Sequence, residues 1–193
     1  MVQVELRDAF RLLNHGATTL IASAHDGRRN VMAAQWVMPL DFNPPKFAIV
    51  IDSNTYTRKL VEASGELVIN VPLLAQADLV WTVGSTSGQS SDKFADFNIA
   101  TLPSQVVGPP CIAGCAAWLE CKVVQAPYAA SVAEALDLFV VEVVAARAAA
   151  ELWQDRCWHF SHEVCTMHHT ARGSFFRTGE TQQARLLESN ERY

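Results

Sequence analysis

Hydroxyl groups gathered ahead of a cation are the first chemistry this chain offers. The segment Asp52-Ser53-Asn54-Thr55-Tyr56-Thr57-Arg58 follows an apolar run and ends in a guanidinium. Its hydroxyls and backbone N–H groups can hold a phosphate, with Arg58 supplying charge. The same pattern also starts a helix, with Thr55 or Thr57 as the N-cap. A second polar stretch, GSTSGQSSDK from Gly84 to Lys93, is either a flexible connection or a backbone cradle for an anion. His159, His162, His168 and His169 crowd around Cys165, a set of types that binds zinc or iron. Their spacing puts His162 with Cys165, or Cys165 with His169, on one helix face and goes no further, so no metal centre is expected. Asp41, Glu62, Glu120 and Glu142 show no paired-carboxylate arrangement, and no Ser-His-Asp set can be drawn. No catalytic acid, base or nucleophile is therefore assigned.

The elements that must position these groups belong to a chain of 193 residues, half of them hydrophobic, which supports a large core. Net charge is −5 with no basic run, which argues against nucleic acid as a partner. The most apolar stretch, Phe139–Ala150, is interrupted by Glu142 and Arg147, so no membrane span is expected. The start, MVQVELRDAF, is amphipathic and charged, unlike a signal peptide. The cysteines, Cys111, Cys115, Cys121, Cys157 and Cys165, are odd in number and lack paired spacing. They read as reduced thiols in a cytoplasmic protein, without structural zinc.

Apolar spacing predicts a helix over Val4–Leu13 and a strand over Thr18–Ala24. His25-Asp26-Gly27-Arg28 is a hairpin turn. One long strand is expected to run through Asn30 to Met38, Pro44 and Pro45 to form an extended connection, and a second strand to fill Phe47–Ile51. Helices are predicted at Tyr56–Ala63 and Leu73–Val83, with a single helical turn at Lys93–Phe97. Strands are predicted at Glu66–Val71, Cys115–Gln125, Leu136–Arg147 and Arg172–Thr178, and a short hairpin within Leu152–Phe160. Val164–His169 reads as a turn of helix, and the tail beyond Glu180 as loose. Roughly six or seven strands without βαβ alternation, and a few short helices, favour an antiparallel barrel.

Several stretches fall into one order: Asn30-Val31-Met32 leading to Trp36; the Pro-Pro turn and Phe47–Ile51; Tyr56-Thr57 before a helix; ELVINVP from Glu66 to Pro72; Gly84 through Ser91-Asp92-Lys93-Phe94; Leu119-Glu120-Cys121; Glu142-Val143; and His169 ahead of Phe175-Phe176. In that order they resemble the flavin reductase-like family, the FMN-binding split barrels that include flavoredoxin, over roughly Thr18 to Phe176. The resemblance implies a mainly β fold, a split β-barrel of Greek-key type with a few short helices. It implies one domain over residues 1–180 with a polar tail at 181–193, and a homodimer that binds FMN without a covalent bond. Asn30 and the backbone of Met32, Ala33 and Ala34 are implied contacts of the flavin ring, with Trp36 near it. Ser53, Thr55, Thr57 and Lys93, with Ser87 and Ser91, face the ribityl chain and phosphate, and Phe175 or Phe176 is the aromatic that follows the late histidine. The implied activity passes electrons from NAD(P)H through FMN to free flavin or another acceptor. An FMN-binding electron carrier reduced by a partner protein is the alternative. The chain departs from the family at Leu136, where many relatives carry a histidine, and at Val141, where they carry glycine. Those departures lean toward the carrier.

Overall fold

The computed structural model describes residues 4–13 and 16–184. Leu6–Leu12 is wound as a 3-10 helix, tighter than the helix expected there. Strands β1 (Thr19–His25) and β2 (Arg28–Ala34) form the expected hairpin. Asp26 and Gly27 at its tip have φ of 46° and 72°, the left-handed pair that a two-residue turn needs to match strand twist. The long strand expected from Asn30 to Met38 is broken at Gln35-Trp36, and β3 (Val37–Phe42) begins a second hairpin with β4 (Pro45–Val50). Pro44 and Pro45 make a tight turn there rather than an extended connection: the Asn43–Pro44 peptide is cis, and Pro45 opens β4 opposite Phe42. A proline at the first residue of a strand forfeits little of the ladder.

Helix α1 (Tyr56–Ser64) ends where Gly65 adopts φ 70° and donates its N–H to the Val61 carbonyl. Then come β5 (Glu66–Val71), α2 (Ala77–Ser85) and the single turn α3 (Lys93–Asp96). Two-residue strands β6 (Thr101–Leu102) and β7 (Cys111–Ile112) precede β8 (Ala117–Val123). Helix α4 (Pro127–Leu136) fills a stretch with no predicted element and takes Leu136 from the start of the predicted strand. Proline at N1 costs no helical bond, and the alanines that follow are strong helix formers. After β9 (Leu138–Ala148), the small hairpin β10 (Trp153–Gln154) and β11 (Cys157–Trp158) appears as expected. Val164–His169 is not a turn of helix. Its C-terminal part belongs to β12 (Met167–Ala171), which pairs with β13 (Ser174–Arg177) around Arg172-Gly173. The tail from residue 185 lies outside the described residues.

Seven strands make one antiparallel sheet in the order β2-β1-β5-β8-β9-β4-β3. β2 and β3 stand at opposite edges of that order, yet Gln35 and Trp36 alone join them. A link that short spans at most roughly 11 Å. The sheet must therefore curl until its edges approach, leaving a seam between β2 and β3 that no ladder closes. This is the expected mainly β split barrel, with Greek-key rather than meander order because β5 returns to β1 and not to β4. Both faces are covered. Leu20, Ala22 and Val68 pack toward α2 and α3, while Ile21, Leu67 and Ile69 pack with Val61 of α1. Burial on both sides explains why these strands read as unbroken apolar runs.

Candidate functional site

At one end of the seam, β2 meets α2 and the β12–β13 hairpin. Ala33, Ala34, Gln35, Val80, Trp81, Gly84, His169, Phe175 and Thr18 enclose a slot of about 240 Å³. Each wall has a local reason. Small residues on β2 let α2 approach so closely that a Cβ on Gly84 would lie 3.2 Å from that of Ala33. Gly173, at φ 77° in the β12–β13 turn, leaves room for the Trp81 indole, which a Cβ there would meet at 3.2 Å. The Trp81 and His169 rings stack at 6.1 Å, and Phe175 tilts against His169 at 5.2 Å. The main chain of His169 is gripped twice: its N–H donates to Thr18 Oγ1 at 3.0 Å, and its carbonyl accepts from Gln35 Nε2 at 2.6 Å. Its Nε2, however, is buried without a hydrogen-bond partner. Burial lowers the His169 pKa, so the ring is neutral at neutral pH. No charged side chain lines the slot.

Farther along β2 lies a polar cradle. Asn30 is buried and donates from Nδ2 to Thr57 Oγ1 at 2.8 Å, while its Oδ1 has no partner. The loop from Gly84 to Lys93 passes so close over Asn30 that a Cβ on Gly88 would fall 2.0 Å from Oδ1. That loop is pinned, not a flexible connection. Arg29 pairs with Asp92 at 3.1 Å, Arg28 donates to the Gln89 carbonyl at 3.4 Å, and Asp92 caps α3 through Phe94 N–H. Arg28 also lies over the Tyr56 ring, 5.3 Å from its centre, and so bridges the two hydroxyl-bearing loops.

Lys93 occupies the floor. It is 2% exposed, and its Nζ donates to the carbonyls of Val31 at 2.9 Å and Val83 at 2.7 Å. It thus ties β2 to α2. Desolvation pushes its pKa down to about 8.

The structure gathers Asn30, Thr57 and Lys93 in this cradle and Ala33, Ala34 and Phe175 in the slot. Met32 lies between them on β2, opposite Ile21 of β1. Ser87 and Ser91 sit on the pinned loop, Ser87 accepting from Gln89 N–H. Thr55 is the N-cap of α1, accepting from Arg58 N–H and donating to the Asp52 carbonyl. Ser53 lines a separate cleft of about 490 Å³ between α1 and α4. Arg58 is not the phosphate cation its sequence position suggested. Its guanidinium is spent on Glu62, Asp137 and the carbonyls of Ile51 and Ala133. Trp36 stands at the break between β2 and β3, 53% exposed and outside the slot lining.

Sequence reading overlooked Thr18, Gln35 and Trp81. The spacing of Leu79, Val80 and Val83 marked the buried face of α2, and Trp81 falls off it. A large aromatic on the polar side of a helix was the available signal. The histidines are dispersed by topology. His168 and His169 alternate on β12, and His162 contacts Arg177. Among the described residues no group of three His, Cys, Asp or Glu could hold a metal ion. Glu120 is consumed by the N–H groups of Gln105, Val106 and Val107 and by Arg147.

Comparison with known proteins agrees with this geometry. The family model described as "Flavin reductase like domain" matches residues 11–168. The uncharacterized protein YddH of Escherichia coli K12 is 40% identical over 93% of this chain and 95% of its own. The crystal structure of an FMN-binding domain of a flavin reductases-like enzyme from Shewanella baltica OS155 is 38% identical. It superposes with a TM-score of 0.82 over 95% of this chain and 97% of that one. Flavoredoxin of Desulfovibrio vulgaris, at 21% identity, shares the fold with a TM-score of 0.75 over 88% and 90% of the two chains.

Proposed function

The chain belongs to the flavin reductase-like family, and we propose that it is an FMN-binding oxidoreductase that passes electrons from NAD(P)H to free flavin or another acceptor. FMN is the cofactor of this family, and the 38% identical Shewanella structure is an FMN-binding domain. The observation that carries the reading here is the pairing, along one edge strand, of an aromatic slot with a polar cradle. Each holds a buried polar atom without a partner, His169 Nε2 in the slot and Asn30 Oδ1 in the cradle. A flat, largely apolar ring with polar edges and a phosphorylated polyol needs that combination.

The bound flavin would supply reversible electron transfer, and the protein binding, orientation and exclusion of water. The outer edge of β2 at Met32, Ala33 and Ala34 offers backbone groups to the ring edge, with Phe175 as an aromatic wall and Trp36 at the seam. Asn30, Thr57, Ser87 and Ser91, with Ser53 and Thr55 on the neighbouring loop, receive the ribityl and phosphate end. Lys93 keeps one N–H beyond its two carbonyl bonds. Arg28 replaces Arg58 as the exposed cation between the two loops. No side-chain acid or base would be required, since the flavin would supply the redox chemistry and the protein its binding and orientation.

One observation favours the second reading, an FMN-binding electron carrier reduced by a partner protein. Leu136 ends α4 exposed, and Val141 is fully buried on β9, so the histidine and glycine of many relatives have no counterpart. Met38, Leu40 and Phe42, exposed on the edge strand β3, support a homodimer. Free cysteines, four of them buried, fit a reducing cytoplasm. Among the described residues no helix is long and apolar enough to cross a membrane.

Fluorescence titration of the purified protein with FMN, FAD and riboflavin tests the cofactor and the cradle together. Saturation near one FMN per chain, riboflavin weaker, and FMN affinity reduced about tenfold by Arg28→Met support the reading. Equal binding of FMN and riboflavin overturns the cradle. Oxidation of NADH or NADPH by the FMN-loaded protein then separates the reductase from the carrier.

A further inference from the structure

The loop between α2 and α3 rests on Asn30 without satisfying it. Asn30 is 2% exposed, and its Oδ1 meets no donor. A buried carbonyl oxygen left unpaired is destabilising, and folded chains seldom keep one without a use for it. What covers this one is Gly88. Between Ser85 and Asp92, Gly88 alone is buried. A Cβ there would fall 2.0 Å from Asn30 Oδ1, 2.6 Å from its Cγ and 3.3 Å from its Nδ2. Only glycine lets main chain stand so close to the amide, and it brings contact without a hydrogen bond. Any hydroxyl that is to donate to Oδ1 must take the place of Gly88.

The roots of the loop are fixed and its middle is not. Thr86 Oγ1 donates to the Thr82 carbonyl at the end of α2, and Asp92 caps α3 and pairs with Arg29. Between those roots, among the described residues, one bond reaches the body, the 3.4 Å contact from Arg28 Nη2 to the Gln89 carbonyl. The bond from Gln89 N–H to Ser87 Oγ lies within the loop itself. Arg28 is exposed, so an N–H that holds the loop down belongs to the same guanidinium that is proposed for the phosphate end.

We propose that residues 86–91 are a cover over the cradle, closed on Asn30 by Gly88 in the flavin-free protein and displaced when a ribityl hydroxyl donates to Asn30 Oδ1. Arg28 releases the Gln89 carbonyl in the same movement and becomes available to the phosphate. The proposal rests on the FMN reading of the cradle. Closure lowers the apparent affinity by the fraction of molecules that are closed, so the loop sets how tightly the site binds.

Two readouts separate the cover from the cofactor. The first needs no flavin. Subtilisin cuts chain that opens locally, and mass spectrometry locates the cuts. In the flavin-free protein Gly88→Ala should be cut within residues 86–91 about tenfold faster than wild type, with no new cuts elsewhere, because the added methyl lifts the loop off Asn30. In an Asn30→Ala background, where the methyl has room, Gly88→Ala should change nothing. The second readout is fluorescence titration with FMN. Gly88→Ala should bind FMN at least about threefold more tightly than wild type, since the closed state no longer competes. Equal cleavage of wild type and Gly88→Ala overturns the cover. Equal or weaker FMN binding by Gly88→Ala overturns the displacement and leaves the cofactor reading standing, since Gly88 then rests on Asn30 in the bound protein as well. If wild type and variant both fail to bind FMN, the cofactor reading falls and takes the displacement with it, while the cleavage ratio still decides whether the loop is a cover over Asn30.

Discussion

Lys93 shows how one residue's surroundings change its work. The resemblance carried by its Ser-Asp-Lys-Phe run implied a phosphate ligand, and its ammonium is buried against two carbonyls that hold β2 to α2. The pKa consequence has a definite sign. Folding lowers the value from 10.5 to about 8, so between those pH values the unfolded chain keeps a proton that the folded chain has released. Stability attributable to Lys93 therefore rises with pH across that window and is level below it. Urea denaturation of wild type and Lys93→Met at pH 7.5 and pH 10 should show the difference moving in favour of wild type at the higher pH. The buried thiols of Cys115 and Cys121, pushed up to about 12 by desolvation, change both proteins alike and cancel. A difference that does not move with pH would show that Lys93 is not the titrating group.

Among the elements, helix α4 is tied at its C-terminal end by a single side chain. Ala129 is its one buried residue, and Arg58 of α1 grasps its C-terminal end through the Ala133 carbonyl and Asp137 while stacking on Phe139 at 5.0 Å. Glu62 and Asp137 are partly exposed and regain water when the guanidinium is removed, but the carbonyls of Ile51 and Ala133 are left short of a donor. Arg58→Met should cost about 2 kcal/mol in urea unfolding and speed amide exchange along α4 more than in the sheet. Uniform exchange would mean that α4 is held some other way. On β3 the problem is the reverse, an element with too little cover. Met38, Leu40 and Phe42 are all exposed, Phe42 at 95%, and the register shift between Pro39 and Asp41 puts Met38 and Phe42 on opposite faces of the strand. Large apolar side chains left exposed along an edge strand mark a contact. Light scattering should report twice the 21.2 kDa chain mass for wild type and the single chain mass for Met38→Glu/Leu40→Glu. A monomeric wild type would refute the homodimer.

At the scale of the molecule, the β1–β2 hairpin and the long strands of the large sheet were legible because apolar runs bounded by turn residues such as Asp-Gly leave few alternatives, whereas the tight Pro44-Pro45 turn and strand β12 were not. The break at Gln35-Trp36 was not, since nothing local interrupts β propensity there; the sheet's need to curl imposes it. Asn30, Thr57 and Ala33 were found through the order of motifs, yet the slot was hidden. Its walls come from α2, β2 and β12–β13, far apart in sequence, and only the tertiary arrangement brings Trp81 to His169. The strand order also bears on how the chain comes into being. β4 takes its second neighbour from β9, with Lys46 opposite Glu142. As the polypeptide leaves the ribosome, the first two hairpins emerge early and wait, edges bare, until the segment around Glu142 follows. Nascent chains arrested before β9 should therefore be cut readily by protease and bind chaperones, while chains carrying β9 well clear of the exit tunnel should resist. Equal resistance in both would mean that the amino-terminal hairpins find shelter without it.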